Sequence, residues 1–65
     1  MEDKYVMYFK WNDEEKDSIV VDSYKTLKFE CIDTIKNPNQ ELLGICKINQ
    51  YGEYIEKNIP KSWYK

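Results

Sequence analysis

Apolar positions come in blocks whose spacing changes along the chain. Lys4 to Trp11 (KYVMYFKW) is dense in aromatic and β-favouring side chains, which predicts a strand. The polar cluster Asn12 to Asp17 predicts a loop longer than a tight turn. Ser18 to Asp22, with three β-branched residues in a row, predicts the return strand of a first hairpin. Asp13, Glu14, Glu15 and Asp17 would repel one another in a packed position, so they are expected at a solvated tip.

Residues Tyr24 to Lys36 fit two periods. At helical spacing Tyr24, Leu27, Cys31, Ile32 and Ile35 share a face, with Phe29 at its margin and Lys28 intruding. At strand spacing Leu27, Phe29, Cys31 and Ile35 share a side. A capping Ser23 and a terminating Asn37-Pro38 favour the helix, and a strand of this length would exceed the usual ~5 to 6 residues.

Strand character returns over Glu41 to Ile48. Asn49-Gln-Tyr-Gly52 then supplies turn chemistry, with Gly52 expected at φ > 0, and Glu53 to Glu56 pairs back. Pro60 prevents Asn58 to Lys65 from continuing a central strand, so this end is expected to dock as a tail through Trp63 and Tyr64. The expected architecture is α+β, ββαββ: a single domain over residues 1–65 with one helix across a four-stranded antiparallel sheet. Were the middle segment a strand, five strands would make an all-β, small SH3-like barrel. Gly44 to Tyr64, with its turn at Gly52 and Ile59-Pro60-Lys61-Ser62-Trp63-Tyr64, would then resemble the distal end of such a barrel.

Composition narrows the chemistry. Among 65 residues there is no His, Arg or Ala, so no side chain has an ordinary pKa between 5 and 8. A domain of this size buries only ~60% of its unfolded surface and seldom encloses a catalytic pocket, so no enzymatic activity is expected. No cofactor is expected either. The acidic cluster lacks the spaced ligands and glycine of a calcium loop, and Cys31 and Cys46 have no His or further Cys to complete a zinc site. Both thiols are therefore expected to be reduced and buried as packing residues.

No apolar run reaches the ~18 residues of a membrane span. Met1-Glu2-Asp3-Lys4 lacks the basic start of a secretory signal, so no membrane association and a cytoplasmic location are expected. Phe, Tyr, Met, Ile, Asn and Lys supply 32 of the 65 residues, a skew that follows A/T-rich codons and suits an A/T-rich bacterium, its phage or another mobile element.

The formal net charge of −2 divides unevenly: residues 1–33 carry −4 and residues 34–65 carry +2. The acidic half, with Glu2, Asp3, Asp13, Glu14, Glu15, Asp17 and Asp22, suggests a surface that imitates nucleic acid before a basic partner. The basic half interleaves Lys57, Lys61 and Lys65 with Trp63 and Tyr64, a weaker case for stacking on a single strand.

The first strand is apolar on both parities, Tyr5, Met7, Phe9 and Trp11 against Val6 and Tyr8, and the third groups Leu43 and Ile45 against Leu42, Cys46 and Ile48. One helix covers one face, so the other needs a partner, a second copy or the folded-back tail. These features together predict a small acidic, non-catalytic, protein-binding molecule, of the kind a phage uses as an inhibitor that occupies a partner's surface, and a homodimer. The expected contacts are Tyr5, Met7, Phe9, Trp11, Asp13, Glu14, Glu15, Asp17, Trp63 and Tyr64. The alternative is a small nucleic-acid or nucleotide-binding accessory protein.

Overall fold

The computed structural model describes residues 3–64. Strand β1 (Lys4–Trp11) and β2 (Lys16–Val21) form the first hairpin, helix α1 (Tyr24–Lys36) crosses over, and β3 (Gln40–Ile48) and β4 (Tyr54–Lys57) form the second. A 3-10 turn (Lys61–Tyr64) follows. The sheet is antiparallel in the order β2-β1-β3-β4, an open ββαββ sheet rather than a barrel. β1 and β3, the two strands that are apolar on both parities, are the central strands.

The first connection is tighter than its polar run suggests. Glu14 N–H donates to the Trp11 carbonyl and Trp11 N–H to the Glu15 carbonyl, both at 2.8 Å. Lys16 and Asp17 consequently belong to β2, opposite Lys10 and Phe9. An edge strand facing water accepts polar residues that a sequence pattern assigns to a loop. Asn12 ties the tip to the loop before β3, its N–H bonded to the Asn39 carbonyl at 3.0 Å.

Helix α1 starts where Ser23 Oγ accepts the Thr26 N–H at 3.2 Å and stops where Asn37 N–H bonds the Thr34 carbonyl at 3.2 Å. Its buried arc is Leu27, Cys31 and Thr34, with Ile32 and Ile35 at the flanks. Phe29 lies outside that arc at 57% exposure, a correction to its marginal place on the apolar face: it stands two residues from both Leu27 and Cys31, which turns it to the far side. Thr34, polar by type, is buried with its hydroxyl donating to Met7 Sδ at 3.6 Å.

Met7, Phe9, Leu27, Cys31, Leu42, Ile45 and Trp63 make the core between helix and sheet. A register shift occurs opposite Tyr8 and Phe9, where Gly44 and Leu42 are the partners and Leu43 is the extra residue. This bulge corrects the parity expected for β3. Leu42 and Ile45 both enter the core, although three residues apart, leaving Leu43 outside it.

Candidate protein-binding face

Ladder registers place side chains on the two sides of the sheet. Tyr5, Met7 and Phe9 point under α1, together with Ile19, Val21, Leu42 and Ile45. Val6 and Tyr8 have the opposite parity, with Val20 and Cys46 flanking Val6. On the same side Cys46 pairs with Glu56, and Ile48 with Tyr54. Among the described residues no helix lies over this side. Val6 is nonetheless only 3% exposed, walled in by its neighbours, whereas Val20, Leu43 and Tyr54 stand at 55%, 42% and 61%.

A shallow groove of about 300 Å³ opens over Gly44, between Tyr8, Leu43, Cys46 and Glu56. A Cβ built on Gly44 would meet no atom within 4 Å, so the missing side chain leaves the floor open. Desolvation raises the Tyr8 pKa above its ordinary value, with the neighbouring Cys46 and Tyr54 adding to the shift. The strip thus holds apolar surface with one phenol at its centre and charges at its rim: Glu56, Glu41, and Lys10, which lies 3.2 Å from Glu14 and 3.9 Å from Glu41.

Of the contacts expected from sequence, Met7, Phe9 and Trp63 are core residues that offer no surface: the helix packs on the parity of Met7 and Phe9, and Trp63 joins the same core from the 3-10 turn. Tyr5 is half-buried beneath Tyr24, ring centres 5.6 Å apart and edge to face, and Trp11 lies edge-on to Phe9 at the partly exposed end of β1. Tyr64 is exposed. Asp13, Glu14 and Glu15 gather at the first turn, with Asp17 beside them in β2. Asp22 lies past the far end of that strand, Asp3 pairs with Lys47 at 3.0 Å, and Glu2 is outside the described residues. The acids therefore divide between two ends of the sheet.

The tail settles on the helix side. Trp63 enters the core and stacks obliquely on Tyr24, ring centres 5.8 Å apart, so it covers none of the open face and offers no base a stacking surface. Lys65 falls outside the described residues. A second recess of about 270 Å³ joins Tyr5, Tyr24, Lys47 and Lys57, but Asp3 occupies Lys47 and raises its pKa through the hydrogen bond and the adjacent charge.

Cys31 is fully buried, and burial, aided by nearby Glu30, pushes its thiol up to about 11. Cys46 is a free, half-buried thiol on the open face, a correction to the expectation that both are buried. Among the described residues no group of three or more Asp, Glu or Cys side chains is placed to hold a metal ion, and no helix is long and apolar enough to cross a membrane. The open strip was missed as a set because the bulge moves Leu43 onto it and Tyr54 lies in a strand whose parity has no apolar alternation. Compared with known proteins, the chain matches no family model, no curated protein and no solved structure.

Proposed function

We propose that this chain is a small, non-catalytic protein-binding module that seats the open face of its sheet on a partner protein. One observation carries the reading: among the described residues nothing covers the strip Tyr8, Val20, Leu43, Cys46, Ile48 and Tyr54, and the tail packs on the helix side instead. Contiguous exposed apolar surface bordered by polar residues is the usual mark of an interaction site. An inhibitor of phage or mobile-element origin, working in the cytoplasm, is the finer form of the proposal, supported by small size, acidic balance and A/T-rich residue usage. Self-association belongs to the same proposal.

The test is capture from nuclease-treated lysate by the parent chain and by Val20→Lys and Leu43→Lys variants, with circular dichroism to verify folding. Proteins retained by the parent and lost by both variants support the module. Retention that ignores both substitutions removes the open face as the contact, and recovery of nucleic acid alone before nuclease treatment sinks the reading and favours the nucleic-acid alternative.

A further inference from the structure

We infer that a second copy of this chain adds to the free edge of β2, strand against strand, in the register that sets Lys16 opposite the copy's Asp22. The inference rests on the self-association part of the functional reading and names its contact.

The order β2-β1-β3-β4 leaves β2 and β4 at the edges. β4 has four residues, whereas β2 runs for six with no proline, glycine or bulge against β1, and ends in Ile19-Val20-Val21. An edge of that kind is a template for another strand unless something blunts it. Its outward groups can be identified. Trp11 N–H donates to the Glu15 carbonyl, so the Trp11–Glu15 pair is of the hydrogen-bonded type. Alternation along an antiparallel ladder then turns the main-chain groups of Asp17, Ile19 and Val21 toward β1, and those of Lys16, Ser18 and Val20 away from it. The Ser18 N–H agrees, being bonded to its neighbour Asp17 Oδ1 at 2.8 Å rather than to the ladder.

A two-fold axis places the same strand opposite itself in antiparallel sense. If the axis passes through Ile19, Ser18 and Val20 exchange main-chain bonds with the copy's Val20 and Ser18. Lys16 and Asp22 then face the copy's Asp22 and Lys16 on the same side of the sheet. Centring on Ser18 would set Lys16 against Val20, and centring on Val20 would leave Lys16 without a counterpart. Charge complementarity therefore selects the Ile19 register. Both charges are exposed, and neither has an ion-pair partner among the described residues. The Asp17 carboxylate has to swing off the Ser18 N–H to admit the second strand. Once joined, the two open faces become one continuous surface with each Val20 near its centre.

Sedimentation equilibrium of the full chain at low salt, up to millimolar concentration, tests this with Lys16→Asp, Asp22→Lys and the double reversal. The parent is expected to dimerise. Each single reversal should weaken the dimer by about tenfold, since symmetry counts each repulsive contact twice, and the double reversal should restore it. Amide exchange is the second measurement, with protection of Ser18 and Val20 expected to rise with protein concentration. A parent that stays monomeric overturns the inference. So does a double variant as weak as either single one, or concentration-independent exchange at Ser18 and Val20. A dimer that ignores the reversals but is broken by Leu43→Lys would preserve self-association through the open face and sink the β2 contact alone.

Discussion

Glu14 holds in the first hairpin the position that Gly52 holds in the second, both in the left-handed region, at φ 70° and 81°. The turns match bond for bond. Glu14 N–H reaches the Trp11 carbonyl as Gly52 N–H reaches that of Asn49, and Trp11 N–H reaches Glu15 as Asn49 N–H reaches Glu53. Only glycine takes this region without a steric cost, which is roughly 1 kcal/mol for other residues. The exposed Lys10–Glu14 pair offsets little of that. Glu14→Gly should therefore raise stability by about 0.5–1 kcal/mol, and Gly52→Ala should lower it by about 1 kcal/mol. Urea denaturation checks both; a destabilised Glu14→Gly variant would show that the ion pair outweighs the backbone strain.

Trp63 ties the tail to α1, so the tail is part of the core rather than an appendage. Trp63→Ala should cost about 3–5 kcal/mol, a large share of the ~5–15 kcal/mol available to a domain. Loss of the cooperative transition, or a shift of that size in urea, is the expected result. Acrylamide should quench Trp11, at 38% exposure, and spare Trp63 at 5%. Equal quenching of the two would mean that the tail is undocked in solution.

Much of the architecture was legible because local signals agreed with one another. Ser23 and Asn37 mark the two ends of α1, and Gly52 marks the turn into β4. What escaped had physical causes. Lys16 and Asp17 are strand residues that look like loop because an edge strand can be polar, and the Leu43 bulge breaks the two-residue period on which face assignment depends. Thr34 gave no sign of burial because its partner, Met7 Sδ, is 27 residues away in sequence. That a single helix would cover only one of the two sheet faces was readable from the two apolar parities of β1. Which one it would be was not, since Met7 and Val6 are equally apolar and the choice is made by where α1 and Trp63 pack.

The Cys31 thiol links stability to pH. Its folded pKa, near 11, lies above the ordinary 9.0, so its stabilising contribution is complete below about 9 and is lost as pH rises through 11, where the unfolded chain ionises first. Stability should fall between pH 9 and 11, and Cys31→Ala should flatten part of that slope while lowering stability at neutral pH. Identical slopes would remove Cys31 as the source. Under native alkylation Cys46 should label before Cys31, which should react only on unfolding.

Gly44 separates folding from binding. It stands inside a central strand without a left-handed φ, and a Cβ there would meet nothing within 4 Å, so neither backbone nor packing asks for glycine. A glycine in a strand loses more conformational freedom on folding than other residues and lacks a side chain to pack. Gly44→Val should consequently stabilise the isolated chain by about 0.5–1 kcal/mol, or roughly 4–8 °C in Tm per kcal/mol for a domain of this size. The same isopropyl group would fill the groove between Tyr8, Leu43, Cys46 and Glu56, so capture of the partner should weaken. Opposite signs in the melting curve and the binding assay are the expected pair. A variant that melts higher and binds as well as the parent would move the contact away from this groove, and one that melts lower would mean that the bulge at Leu43 itself requires glycine beside it.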